Sequence, residues 1–313
     1  MSEDILIMRP LSPLGLDAAE KLGTVHNYYG ADDKEALLDK VADKIGYVAT
    51  DAGVGFTMAM ADRMPNLKFV SNYGVGYDGI PIAELLERGI PVTNTPGVLN
   101  DAVAELAVGM MLALARRIPA IDAGVRAGEW TKSEIMLTGQ VAGSRAGIIG
   151  LGRIGAEIAA RLLPMKVDVS YHGRSEKPDA PYTYYADLTE MAKNVDWLIC
   201  ITPGGAGTKH MVNKEVLEAL GPDGAVVNVA RGSVIDEQAL VDALKSGAVG
   251  GAALDVFEAE PNPLPDLLTM DNVVLQAHQG SATVATRTAM AQLVLDNIAD
   301  FMAGRPLKTQ VLP

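Results

Sequence analysis

From the N-terminus, short apolar runs alternate with amphipathic stretches. Ile5–Met8 reads as a strand, 13–22 as a helix, Thr24–Tyr28 as a strand and 34–41 as a helix. The alternation continues through strand 47–49, helix 57–63, strand 68–71, helix 81–88 and strand 91–93. Such a series predicts a parallel sheet, because each parallel pair needs a crossover and a helix can bury its apolar face on the sheet it crosses.

After Asn94-Thr95-Pro96-Gly97 a long helical pattern covers about 101–117, with Asn100 or Asp101 as N-cap and Glu105 in its first turns. Apolar residues nearly surround it, which predicts a buried helix between domains or in a subunit interface. A second strand–helix series has strands expected at 146–149, 167–171, 183–185, 196–201, 225–229, 249–254 and 273–275. The last helix, about 283–303, comes too late to belong wholly to that series and is expected to return to the first domain.

The 313 residues suit about two domains at roughly 150 residues each. A net charge of −13 with 49% hydrophobic and only 21% charged residues excludes a disordered chain and a broad nucleic-acid surface. The single cysteine, Cys200, can form no intrachain disulfide and no zinc site, which suggests a reducing compartment. Two acids precede the first apolar run, the reverse of an export signal. The Ala102–Ala115 run is too short, and too interrupted by Glu105, to span a bilayer. A cytoplasmic protein with no membrane or nucleic-acid partner is expected.

An apolar strand leads into Gly150-Leu151-Gly152-Arg153-Ile154-Gly155 and then a helix, the context a dinucleotide fingerprint requires. Gly150 permits the tight turn, Gly152 admits a pyrophosphate to the backbone, and Gly155 lets helix and strand pack closely. The second strand should end near Tyr171, where NAD sites usually carry an acid for the ribose 2′-OH. Here the chain reads Tyr171-His172-Gly173-Arg174-Ser175-Glu176-Lys177. Without that carboxylate, and with Arg174 and Ser175 at hand, a 2′-phosphate can be bound by charge-assisted hydrogen bonds. NADP(H) is therefore favoured, with NAD(H) as the alternative.

Of the four histidines, His26 lies in a strand-like run, His172 in the loop just described, and His210 ahead of a helix in a capping or loop context. His278 follows the apolar strand ending at Leu275, Arg231 follows the strand ending near Val229, and Asp255, Glu258 and Glu260 follow the strand between them. Three consecutive strand ends thus deliver Arg, Asp/Glu and His to the edge where open α/β sheets bind ligands.

Here the sequence resembles the D-isomer-specific 2-hydroxyacid dehydrogenase family over essentially its whole length. The matching segments are 72–78, Asn94–Val98, Gly150–Gly155, Val229-Ala230-Arg231-Gly232-Ser233, Ala253–Pro261 and His278–Ala282. The basic 171–175 segment is similar to that of NADPH-preferring glyoxylate/hydroxypyruvate reductases. One departure is Gln276-Ala277-His278-Gln279, where many members have Pro before the histidine and an apolar residue after it.

The resemblance implies that Arg231 holds the substrate carboxylate and C2 carbonyl, that His278 is the acid–base group, and that Glu260 pairs with it and favours the imidazolium. Glu258 is the rival acid, and Glu260 is preferred because it directly precedes Pro261, as in the family motif. Amides of Val75 and Gly76 would complete the carboxylate cradle. Asp255 would contact the nicotinamide amide, while Thr202, Pro203, Thr208, Val229, Ala230 and Gly280 would border the cofactor beside the fingerprint and His172–Ser175. No metal is needed, since Arg231 and His278 supply the polarisation.

These readings combine into an α/β protein of two doubly wound parallel-sheet domains, Rossmann-like and flavodoxin-like, with a cleft between them. The substrate domain is 1–99 plus 287–313 and the dinucleotide domain 100–286, and the two crossings would form a closing hinge. The expected reaction is NADPH-linked reduction of a small 2-keto acid, glyoxylate or hydroxypyruvate, to the D-2-hydroxy acid. Alternatives are an NAD-linked dehydrogenase of D-lactate or phosphoglycerate type and, from another class, a dinucleotide-sensing corepressor-like protein. A homodimer is expected from helix 101–117. Trp130 and Ile135-Met136-Leu137 are candidates for the pocket that selects the substrate.

Overall fold

The computed structural model describes residues 3–11, 13–130 and 136–312. Ile135 lies outside them. The chain divides into two compact units, Met1–Leu99 with Ala282–Pro313, and Asn100–Ser281.

Unit 1 is built on strands β1 (Asp4–Ile7), β2 (Thr24–Asn27), β3 (Ile45–Thr50), β4 (Phe69–Asn72) and β5 (Val92–Thr93). They form one parallel sheet in the order β2-β1-β3-β4-β5, the flavodoxin-like winding. Helices α1 (Pro13–Glu20), α2 (Lys34–Val41), α3 (Met58–Asp62) and α4 (Ile82–Glu87) make the connections. The central strands are covered on both faces: β1, β3 and β4 are buried at every position, the polar Asp4, Ser71 and Asn72 included.

Unit 2 begins with α5 (Asn100–Ala115) and α6 (Ile118–Arg126). Its seven parallel strands are β6 (Arg145–Ile149), β7 (Asp168–His172), β8 (Thr183–Tyr185), β9 (Trp197–Cys200), β10 (Ala225–Asn228), β11 (Gly251–Leu254) and β12 (Val273–Leu275). The order β12-β11-β10-β9-β6-β7-β8 reverses direction between β6 and β9, which creates a switch point at the carboxyl end of β6. Helices α7 (Arg153–Leu162), α8 (Leu188–Ala192), α9 (Lys214–Leu220) and α10 (Glu237–Ser246) connect these strands. Asp187, Asn213 and Asp236 cap the last three through side-chain oxygens. Both units are thus the parallel α/β layers expected from the alternation.

The apolar helix 101–117 breaks into two. Arg117 adopts a left-handed φ of 49°, and Pro119 sits in the first turn of the new helix. The buried residues of α5 pack within unit 2, against α7 and strands β10–β12. Its apolar content is consumed there, so it carries no argument for a dimer.

The final helix α11 (Val284–Met302) belongs to unit 1, and the chain crosses at Ala282, ahead of the Thr283 cap that starts it. It packs on α1 and β4, and Phe301 stacks on Phe69 at 4.9 Å between ring centroids. The tail then runs antiparallel beside β5, where Val311 N donates to Val92 O at 2.8 Å.

Candidate active site

The fingerprint lies where the sheet of unit 2 switches direction. Gly150 has a φ of +103°, and a Cβ there would meet Thr202 main chain at 3.0 Å. A Cβ on Gly155 would sit 2.3 Å from Gly150 O. Both glycines are thus required by the protein's own packing. Gly152 differs, because no protein atom lies within 4 Å of where its Cβ would be. The amides of Arg153, Ile154 and Gly155 precede the first helical pairing, Ala156 N to Gly152 O, so they face outward over that space. An open glycine before an uncapped helix N-terminus fits the pyrophosphate of a dinucleotide.

At the end of β7, His172 Nδ1 is 2.9 Å from Tyr185 O and is spent on the β7–β8 edge. The following loop hangs on two tyrosines. Lys177 N donates to Tyr171 Oη at 2.7 Å, and Tyr184 Oη donates to Gly173 O at 3.1 Å. Arg174 and Ser175 are exposed. A cavity of about 710 Å³ lies between this loop and the start of α7, and its cations are Arg153 and Lys177, beside Glu176 and Asp179. Lys177 was missed in the sequence because only the folded loop brings it to the helix N-terminus. Thr208 Oγ1 donates to Pro203 O at 2.7 Å and closes the loop that follows Thr202.

Arg231, Glu260 and His278 leave the carboxyl ends of β10, β11 and β12, neighbours in the sheet. A buried polar side chain at a strand end fixes each of the flanking loops. Asn228 Oδ1 accepts Ala230 N at 3.0 Å, and its Nδ2 donates to Arg231 O at 3.0 Å. Asp255, 1% exposed, accepts Gln279 N at 2.6 Å and Gly280 N at 2.9 Å, while His278 N donates to Asp255 O at 2.8 Å. Burial raises the Asp255 carboxyl above its ordinary value, against the pull of those two amides and of His278. Its carboxylate therefore anchors the His278 loop from below, a role the sequence did not reveal.

His278 sits at a φ of 55°, and its Nδ1 is 2.8 Å from Glu260 Oε2. Glu260 Oε1 accepts Phe257 N at 3.2 Å. Burial pushes the Glu260 carboxyl up, but the His278 hydrogen bond and charge, the Phe257 amide and the Arg231 charge outweigh it and hold the group below its ordinary value. An ionised carboxylate only accepts, so His278 Nδ1 carries the hydrogen of this bond and Nε2 is left for proton exchange. Glu258 is turned elsewhere: it pairs with His210 Nε2. Both acids follow β11, and the fold separates them. His26 is paired with Asp4 at 2.7 Å.

In unit 1, three carbonyls of the 74–76 turn are pinned. Asn72 Nδ2 donates to Gly74 O and Gly76 O at 2.9 Å each, and Asn94 Nδ2 donates to Val75 O at 3.0 Å. Across a planar trans peptide the N–H points opposite the preceding carbonyl, so the Val75 and Gly76 amides face away from these anchors. Successive main-chain amides in a glycine-flanked turn suit an anion.

Comparison with known proteins converges on the same chemistry. Residues 108–280 match the family model described as D-isomer specific 2-hydroxyacid dehydrogenase, NAD binding domain. A glyoxylate/hydroxypyruvate reductase of Arabidopsis thaliana is 41% identical over 308 residues, covering 98% of each chain. A hydroxyphenylpyruvate reductase of Plectranthus scutellarioides is likewise 41% identical over 308 residues, with the same coverage. The crystal structure of an NADPH-dependent glyoxylate/hydroxypyruvate reductase from Sinorhizobium meliloti, in complex with NADP and malonate, superposes with a TM-score of 0.91 at 37% identity, over 99% of this chain and 97% of that one. With a glycine fingerprint at the switch point and Arg, Glu and His on adjoining strand ends, the chain belongs to the D-isomer specific 2-hydroxyacid dehydrogenase family of oxidoreductases.

Proposed function

We propose that this enzyme reduces a small 2-keto acid, glyoxylate or hydroxypyruvate, to the D-2-hydroxy acid with NADPH. The observation that carries the proposal is the His278–Glu260 pair at 2.8 Å, one strand end from Arg231. Similarity to glyoxylate/hydroxypyruvate reductases supports the substrate class. When bound, the nicotinamide supplies the hydride that reaches C2.

The protein's own residues do the rest. Arg231 grips the substrate carboxylate and the C2 carbonyl oxygen through its forked donors. In unit 1, the Val75 and Gly76 amides offer donors to a carboxylate. His278 Nε2 gives a proton to the oxygen as charge develops on it, and Glu260 holds Nδ1 and balances the imidazolium. Gly150–Gly155, Thr202, Pro203, Thr208, Val229, Ala230 and Gly280 border the dinucleotide, and Asp255 acts by fixing the His278 loop. Arg174 and Ser175, with Arg153 and Lys177, receive the 2′-phosphate, whereas His172 sets the strand edge behind them.

Initial rates with NADPH and NADH test the cofactor, and a clear NADH preference would return the enzyme to the NAD-linked reading. Replacing His278 with Ala should lower kcat at least about 10²-fold. An unchanged rate would remove the acid–base assignment, whereas absence of turnover in the parent protein would favour the sensing role.

We further propose a homodimer in the cytoplasm. Ile118, Ile121 and Val125 lie on one face of α6 and are 53%, 39% and 50% exposed, with Trp130 at 79% beyond them. That spacing forms an apolar stripe suited to a second copy. The exposure of Trp130 and Leu137 favours this surface role over a pocket role. Val125→Asp should yield a monomer in sedimentation, and a monomeric parent protein would overturn the proposal. No helix among the described residues is long and apolar enough to cross a membrane. Cys200 is buried, which pushes its thiol up to about 12 and suits an unreactive core position.

A further inference from the structure

One buried carboxylate of unit 2 takes no part in the steps above. Glu237 opens α10 and is 5% exposed. A buried acid is costly unless its oxygens find donors, and these find two main-chain amides. Oε2 accepts Glu258 N at 2.9 Å and Oε1 accepts Leu264 N at 3.3 Å. Glu258 and Leu264 bracket Glu260 on both sides. The carboxylate also lies in the first turn of its helix, where the dipole favours negative charge.

Further contacts join the same pieces. His210 pairs with Glu258 through Nε2, its own amide donates to Ser233 O at 2.8 Å, and its Nδ1 lies 3.9 Å from Asp236 Oδ2. Ser233 and Asp236 belong to the turn that carries the chain from Arg231 into α10. The segment bearing Glu260 is thereby fastened to the turn bearing Arg231, two loops that the sheet alone would leave to move separately.

We propose that Glu237 is a positioning residue that holds segment 257–264 so that Glu260 meets Nδ1 of His278. It touches no substrate and acts through Glu260, so this inference rests on the proposed pairing of Glu260 with His278.

The test uses Glu237→Gln, which keeps one acceptor oxygen, and Glu237→Ala, which keeps none. With glyoxylate and NADPH, kcat should fall about 10-fold in the first and about 10²-fold in the second, as a misplacement of about 1 Å would cause. The KM for NADPH should stay within about twofold, because the fingerprint is untouched. The alkaline limb of the pH–rate profile should move to lower pH in the same direction as in Glu260→Gln, and Glu237→Ala should add nothing further in the Glu260→Gln background. Unchanged kcat and pH profile in a folded Glu237→Gln enzyme, or effects fully additive with Glu260→Gln, would overturn the inference. If Glu260→Gln itself leaves rate and profile unchanged, the pairing fails and this inference with it. If Glu260→Gln acts and the Glu237 variants do not, only the role of Glu237 falls. Should Glu237→Ala not fold, Glu237→Gln alone decides the matter.

Discussion

Replacing Gly232 with Ala tests whether the arginine turn and the acid loop act as one piece. A Cβ at this position would lie 1.9 Å from Phe257 C, 2.0 Å from its carbonyl oxygen and 2.3 Å from Glu258 N. All three are main-chain atoms, so no side-chain rotation relieves the contact. Reaching ordinary contact at 3.4 Å requires the two segments to separate by about 1.5 Å, the difference from 1.9 Å. Arg231 lies on one side of that gap and Glu260 three residues beyond Phe257 on the other. A displacement of this size should cost kcat/KM about 10²-fold or more, about 2.7 kcal/mol of transition-state stabilisation. Overpacking should remove about 1–3 kcal/mol of stability as well. Steady-state kinetics with glyoxylate measure the first and urea unfolding the second. Gly152→Ala is the control, since its Cβ meets no protein atom and should spare stability while weakening cofactor binding. If Gly232→Ala kept more than about half of the parent kcat/KM and lost no stability, the coupling of the two loops would be refuted.

Three further outcomes follow from the site. Glu260 is held below its ordinary value of 4.5, so its ionised form stabilises the fold above that pH, and the contribution is lost as pH falls through the lowered folded value. Glu260→Gln should therefore be less stable than the parent in urea unfolding at neutral pH and match it in strong acid; an equal gap at both would exclude the linkage. Arg174→Ala combined with Lys177→Ala should raise the KM for NADPH about 10-fold or more and leave that for NADH within about twofold, because only the first carries a 2′-phosphate. Equal changes would show that neither side chain reads it. Asn72→Ala frees the Gly74 and Gly76 carbonyls and should raise the KM for the keto acid about 10-fold with little change in kcat or in the KM for NADPH; a loss confined to kcat would place the 74–76 turn outside substrate binding.

Much of the fold is legible in the sequence because its signals are local. A continuous apolar run such as Trp197–Ile201 needs cover on both faces, and helical stretches between such runs supply it, so alternation alone implies parallel sheets. The glycine fingerprint is legible for the same reason: strand, turn and helix are adjacent in the chain. Chain direction in a parallel sheet also brings whatever follows each strand to one edge, which makes Arg231, Glu260 and His278 readable as neighbours before any coordinate is known.

The sequence by itself therefore determined the layers, the switch-point glycines and the list of groups at the carboxyl edge, all consequences of contacts between near neighbours in the chain. The residues alone left Glu258 and Glu260 as rivals, with Glu260 preferred through the family resemblance only, and the contacts that separate the two acids belong to the tertiary structure. Glu260 reaches His278 and Glu258 reaches His210 across 18 and 48 residues, through bonds set by strand register and by the turns after β10 and β11. It likewise ended α5 at a left-handed Arg117, spent His172 on the sheet edge, brought Lys177 to the start of α7 and placed Glu237 beneath the acid loop. Each of these depends on distant segments closing on one another, and side-chain periodicity carries no information about such long-range geometry.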